Sequence, residues 1–278
     1  MTLHSQIREQ LLNALSQTHS DEAAQLNNAL RLLSKWRSHL IQNTLLQHQG
    51  TKVLNGPLKD LEFLPNSTEG CHIPKLLGCY EEPLQPYIEQ VIQTGYPTIL
   101  NIGCAEGYYA VGLARRMPNT RIFAFDRNPK AQETCAILAQ KNKVEERITI
   151  GGLFNTKDFT SFANQKLLLL CDIEGAEREL LNPEKAPDLS RMDIIVESHE
   201  CLIPGVTRLL MDRFSPTHEI ILVEDNGQRQ MPTVPAWFSN LAHLDQLLAL
   251  WEWRSGATPW LVLKARKGFL PKNEGNAE

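Results

Sequence analysis

Apolar residues first recur at helical spacing near the start of the chain. Leu3, Ile7, Leu11 and Leu15 form one run, and Leu26, Leu30, Leu33, Trp36 and Leu40 form a second, with THSD between them. Residues three and four apart share a helix face, so residues 1–48 are predicted to be a helical hairpin. Its leucine stripe needs a partner surface, either the rest of the chain or a second copy in a homodimer. Over residues 49–83 Gly and Pro interrupt the chain and no period survives; this stretch is expected to be a linker that caps the next domain.

A different rhythm begins at Leu84. After a short helix, the strands TILNI, RIFAFD, RITIGG, KLLLLCDI and MDIIVES alternate with the helical patterns YYAVGLARRM, PKAQETCAILAQKN, TKDFTSFAN and AERELL. Near-continuous apolar strands separated by amphipathic helices indicate an α/β fold, with a parallel sheet covered on both faces. The end departs from this rhythm: helix VTRLLMDRF, strand HEIILVED, a helical insertion at about 229–253, and a last strand, PWLVLKAR. That long excursion lets the last strand return antiparallel beside HEIILVED. The main domain is thus expected over 84–278.

A chain of 278 residues that is 42% hydrophobic can bury a full core, which suits one main domain with an appendage. Its formal charge of −4, with Lys and Arg dispersed, argues against nucleic acid as a partner. The first twenty residues hold neither a signal-peptide core nor a membrane span, so a soluble, cytoplasmic protein without a membrane partner is expected. Six cysteines without a CxxC pair read as reduced, mostly buried thiols.

The chemistry is sought at the turn Gly103-Cys-Ala-Glu-Gly107, which joins an apolar strand to a helix. A dinucleotide site needs a second glycine where the backbone meets the diphosphate. Ala105 puts a Cβ there, and Glu106 would bring negative charge toward a diphosphate. S-adenosylmethionine, with a sulfonium, an ammonium and no diphosphate, suits the turn better. Asp126 ends the next strand, where an acid conventionally grips a ribose diol; Asn128 can cap the following helix and leave Asp126 free. Asn101, Gly103, Glu106, Gly107, Asp126, Phe154 and Asp172 make up the expected cofactor-binding set.

Carboxylates gather at the ends of the later strands: Asp172 and Glu174 in CDIEGAERELL, Glu197, His199 and Glu200 in VESHE, and Glu224 and Asp225 in VEDN. In open α/β sheets ligands lie outside those ends. NIGCAEGYYAVGLA, FAFDRNP and above all CDIEGAERELL resemble the class I S-adenosylmethionine-dependent methyltransferases, and within them the FkbM-type family. The resemblance covers roughly residues 96–200. It implies a Rossmann-like seven-stranded, mostly parallel sheet with a terminal antiparallel strand, S-adenosylmethionine as methyl donor, and O-methylation of a small-molecule or sugar hydroxyl. In two places the chain departs from the family's pattern. Asn101 stands where many class I enzymes have an acid, and Ala105-Glu106 stands where the family more often has Ala-Asn; Glu106 is therefore expected to contact the methionine ammonium.

His199 is the expected general base, with Glu197 and Asp172 as the other catalytic candidates. No HxH or HExxH spacing occurs, so no metal is assigned. Two other readings stay open: a non-catalytic scaffold that binds S-adenosylmethionine, and an NAD(P)-dependent oxidoreductase, which the turn spacing disfavours. Trp237, Trp251, Trp253 and Trp260 read as core and lid packing, or as a wall for a ring-bearing acceptor.

Overall fold

A computed structural model describes residues 2–16, 21–67, 71–163 and 165–266. The predicted hairpin is present as two helices, α1 (Leu3–Leu15) and α2 (Glu22–Gln49); most of its predicted turn, residues 17–20, lies outside the described residues. Asp21 starts α2 by accepting a hydrogen bond from the Ala24 backbone N–H, and Gly50, at φ 71°, ends it. α1 buries none of its residues, whereas the C-terminal half of α2 buries Ser38, Ile41 and Leu45.

Residues 49–67 and 71–83 join that core. Leu61, Phe63, Leu76 and Leu77 have no exposed surface, the last two from the short helix α3 (His72–Leu77). Their apolar side chains come from turns and a helix too short to show a period. α4 (Gln85–Thr94) then leads into the alternating part.

Strands β1 (Thr98–Ile102), β2 (Arg121–Phe125), β3 (Ile148–Gly151), β4 (Leu167–Cys171) and β5 (Asp193–Glu197) run parallel. Helices α5 (Tyr108–Arg116), α6 (Pro129–Lys141) and α7 (Glu177–Leu180) lie among them, and α8 (Val206–Phe214) leads to β6 (His218–Val223). After α9 (Ala236–Ser239) and α10 (His243–Leu250), β7 (Trp260–Ala265) inserts antiparallel between β5 and β6. The order β3-β2-β1-β4-β5-β7-β6 is the seven-stranded sheet with a terminal antiparallel element that the resemblance implied. Placement beside β6 was legible from the sequence; pairing with β5 was not.

All five residues of β4, LLLLC, are buried, as a central strand covered on both faces requires. One core cluster joins this sheet to α2–α6, and the other packs α7 and α8 on the opposite face. In the insertion, α10 docks on α2 through a two-pronged bond from the Arg37 guanidinium to Asp245, at 2.7 and 2.6 Å. Among the described residues no helix is long and apolar enough to cross a membrane.

Candidate active site

The crossover after β1 is built around glycine for a local reason. Gly103 has φ 79°, and a Cβ there would stand 1.5 Å from the Asp172 carbonyl oxygen. The turn after β1 is therefore wedged against the end of β4. Gly107 caps α5 at φ 91°, where a Cβ would meet the Cys135 sulfur at 2.7 Å; this glycine serves the packing of α5 on α6.

Asp126 faces this turn. One carboxylate oxygen accepts from the Ala105 N–H at 3.0 Å and the other from the Asn128 N–H at 2.8 Å. Asn128 caps α6 itself, accepting from the Lys130 N–H at 3.0 Å. Asp126 thus orients the loop and keeps lone pairs for further donors.

Gly103, Asp126, Phe154, Asp172 and Glu174 line a cavity of about 490 Å³, with Ile102, Phe125 and Leu153 as apolar walls. That volume lies within the usual range for small-molecule sites. A smaller cavity of about 200 Å³ is lined by Tyr80, Asp172, Glu174, Glu197, His199 and Arg254, among others. Asp172 and Glu174 line both, so the two cavities meet at the end of β4.

His199 is the hub of the smaller cavity and is 3% exposed. Its Nδ1 lies 2.8 Å from Oε1 of the fully buried Glu177, while its Nε2 stands 3.4 Å from carboxylate oxygens of Asp172, Glu174 and Glu197. Burial alone would lower the His199 pKa, but the bond to Glu177 and the surrounding carboxylates outweigh it and raise it above 6.5. Burial likewise opposes ionisation of Glu177, and the bond and charge of His199 outweigh that too, leaving its pKa below the usual carboxylate value. Asp172 behaves in the opposite sense. Its burial, with Glu197 and Glu81 close by, holds its pKa well above 3.8. Its Oδ1 is buried with no hydrogen-bond partner among the described residues, although the side chain as a whole is 30% exposed.

Arg254 clamps the far wall. Its guanidinium reaches Glu81 at 2.8 Å, Glu252 at 3.1 Å and Glu197, and Tyr109 donates its hydroxyl to Glu81. Burial and the neighbouring Glu197 push the Glu81 pKa to about 7. Arg229 holds Asp225 by two bonds, at 2.9 and 2.7 Å, and also pairs with Glu252.

The structure brings Gly103, Asp126, Phe154, Asp172, Glu174, Glu197 and His199 to the two cavities and places Asn101, Glu106, Gly107, Glu200, Glu224 and Asp225 elsewhere. Glu106 is fully buried, bonded at 2.7 Å to both Lys75 Nζ and the Ser67 hydroxyl, and does not line the larger cavity. An ammonium 31 positions upstream compensates its charge, which the turn sequence could not show. Asn101 is buried within β1 and donates to the Leu170 carbonyl at 3.4 Å. Glu200 turns away to cap α8 through the N–H groups of Gly205 and Thr207, Asp225 serves the Arg229 clamp, and Glu224 is exposed. Sequence reasoning gave Glu177 a place in the DIEGAE segment and a helix but no role in the site, and it missed Glu81, Tyr80 and Arg254, which come from aperiodic stretches. The available signal for Glu177 was its place in the Asp172–Glu177 segment.

The sequence matches no protein-family model and no curated protein. Among solved structures, the chain is similar to an O-methyltransferase from Streptomyces achromogenes involved in tomaymycin synthesis, in complex with S-adenosylmethionine. The identity there is 12% and the TM-score 0.45, over 95% of this chain and 100% of that one. It is also similar to an O-methyltransferase from Bacillus cereus in complex with S-adenosylhomocysteine, at 13% identity and a TM-score of 0.45, over 92% of this chain and 96% of that one. At such identities and TM-scores neither match carries substrate or chemistry over to this chain.

Proposed function

We propose that this protein is an S-adenosylmethionine-dependent methyltransferase acting on a hydroxyl of a small molecule, nearest in type to the FkbM family. The observation that carries the reading is the meeting of two cavities at Asp172: a larger one with the volume of a small-molecule site, and a smaller one rich in ionisable groups. The donor set of the larger cavity fits S-adenosylmethionine. Asp126 retains acceptor capacity for a ribose diol, Phe154 and Leu153 offer an apolar face to a base, and the carboxylates of Asp172 and Glu174 suit a cationic tail. Those same carboxylates disfavour the diphosphate of NAD or FAD. This case no longer needs Glu106, whose charge is met by Lys75.

When bound, S-adenosylmethionine supplies a methyl group already activated on a sulfonium. The chain has to hold the acceptor in line, exclude water and take one proton. Asp172 is the base the geometry favours: it borders both cavities, and burial with Glu197 and Glu81 nearby makes it a stronger base than an ordinary carboxylate. This moves the base from His199, where the sequence put it. Held among four carboxylates that raise its pKa, His199 bridges them, while Glu177 fixes its ring through Nδ1.

The six cysteines, none in a disulfide, fit the reducing cytoplasm we assign to the protein. Exposed Leu12, Leu15, Leu26 and Leu30 on α1 and α2 are the surface through which two copies would pair as a homodimer. The deciding experiment incubates purified protein with methyl-labelled S-adenosylmethionine and a small-molecule extract. A labelled product together with S-adenosylhomocysteine supports the reading; cofactor binding without transfer leaves the scaffold, and absence of cofactor binding defeats both.

A further inference from the structure

A third cavity, of about 340 Å³, lies between α2, α3 and the end of α10, on the outer side of the carboxylate cavity. Its walls include His39, Gln42, His72, Leu248, Trp251 and Trp253. Cys71 and Trp253 line both this cavity and the carboxylate cavity. The two spaces therefore meet at this pair of residues.

That pair is built with strain. Cys71 and Trp253 both sit in the left-handed region, at φ 50° and φ 62°, which a side chain other than glycine rarely adopts. Strained backbone of this kind persists where surrounding structure over-determines it, and it clusters at ligand clamps and active sites. Here the over-determination is visible. The Cys71 thiol donates to the Glu252 carbonyl, and Glu252 in turn binds Arg229, Arg254 and the Glu81 N–H. The rim that the two cavities share is thus fastened to the same network that frames Glu197.

The outer cavity also selects by chemistry. Trp251 and Trp253 stand 6.0 Å apart and tilted by 37°, presenting indole surface to the space. The Lys35 ammonium covers one face of Trp253 at 4.9 Å, so the cation that this ring can hold is already supplied by the chain. His72 is neutral, since burial takes its pKa down to about 4. Ser38, Gln42, Asn66 and Ser67 supply hydrogen-bonding groups beside the two indoles, so a planar ring with polar substituents matches these walls better than a second cation.

Resting on the methyltransferase reading above, we infer that the outer cavity holds the body of the methyl acceptor, and that the acceptor is a two-part molecule: a planar aromatic body against Trp251 and Trp253, and a hydroxyl reaching the carboxylate cavity beside Asp172. The two volumes together suit a molecule of drug-like size. This also gives the N-terminal hairpin a task, because α2 contributes Ser38, His39 and Gln42 to the cavity wall.

The test is isothermal titration of 2-naphthol, cyclohexanol and glucose into the full chain loaded with S-adenosylhomocysteine. We expect 2-naphthol to bind at least about tenfold more tightly than cyclohexanol, and glucose not to bind. His39→Trp, at an exposed position on α2, should fill the cavity mouth, and Trp251→Ala should remove a wall; each should weaken 2-naphthol at least about tenfold and leave S-adenosylhomocysteine affinity within about twofold. Absent 2-naphthol binding, binding that neither variant weakens, or a preference for glucose would overturn the inference. Because His39 is exposed, that variant keeps the test decisive even where Trp251→Ala folds poorly. Failure of S-adenosylhomocysteine to bind, with 2-naphthol still bound and sensitive to both variants, would sink the methyltransferase reading while leaving the aromatic site standing.

Discussion

Glu177 and His199 form a buried carboxylate–imidazole pair, Oε1 to Nδ1 at 2.8 Å, with Nε2 directed at three further carboxylates. The pair has its own dependence on pH. His199 has a raised pKa, so its contribution is complete below its unfolded value of 6.5 and fades as pH rises through the folded value. Glu177 has a lowered pKa, so its contribution is complete above 4.5 and fades as pH falls through the folded value. Stability from this pair should therefore peak between 4.5 and 6.5. Glu177→Gln should flatten that peak in Tm measured against pH, and should lower the His199 pKa seen by NMR. An unmoved imidazole titration would remove Glu177 as its partner.

Asp172→Asn separates stability from chemistry. A carboxyl whose folded pKa is raised favours the fold below its unfolded value of 3.8, and that contribution is lost as pH climbs through the folded value. Near neutrality the amide should thus leave the protein as stable as the parent or more so, while turnover falls by at least about a hundredfold, the low end of what a positioned base contributes. In the parent, kcat should rise with pH through an apparent pKa above that of an ordinary carboxylate, and the variant should lose this limb. If the limb persists in Asp172→Asn, the base is another group.

His199→Asn should lower kcat by about tenfold or more, since an anchor among carboxylates is lost, with cofactor affinity held within about twofold. Calorimetry with S-adenosylhomocysteine and steady-state rates give the two readouts. Parental kcat in this variant would show that the imidazole has no part in the site.

Asp126→Ala removes the group that accepts from the Ala105 and Asn128 N–H groups and faces the larger cavity. Hydrogen bonds to a charged acceptor are worth about 1.5–3 kcal/mol, so S-adenosylhomocysteine should bind about ten- to a hundredfold more weakly. Unchanged calorimetric affinity would overturn the cofactor assignment.

Gly103→Ala and Gly95→Ala make a matched pair. Both glycines have positive φ, but a Cβ at Gly95 meets nothing within 4 Å, whereas one at Gly103 meets the Asp172 carbonyl at 1.5 Å. The first substitution carries a backbone clash on top of left-handed strain, whereas the second carries the strain alone, about 1–2 kcal/mol. Gly103→Ala should exceed Gly95→Ala by at least about 2 kcal/mol, read as a larger fall in Tm. Equal losses would mean that the wedge between β1 and β4 is not rigid.

Much of this arrangement could be read before any coordinates. Near-continuous apolar runs between helical periods marked every strand and most helices from Leu84 onward, because a central parallel strand such as LLLLC has to be apolar on both faces. The convergence of Asp172, Glu197 and His199 followed from strand ends meeting at one edge of a sheet. Glu81 and Arg254 were hidden for the opposite reason: each lies in an aperiodic stretch, and the two are 173 positions apart in the chain. Glu106 was legible as a charge but not as a compensated one, since its cation belongs to α3.

The contact of the Asp172 carbonyl with the Gly103 turn has a thermodynamic consequence. The loop that borders the larger cavity and the residue that borders both cavities cannot be displaced independently, so filling one space constrains the other. On the methyltransferase reading, S-adenosylhomocysteine and an acceptor should then change each other's affinity by the same factor.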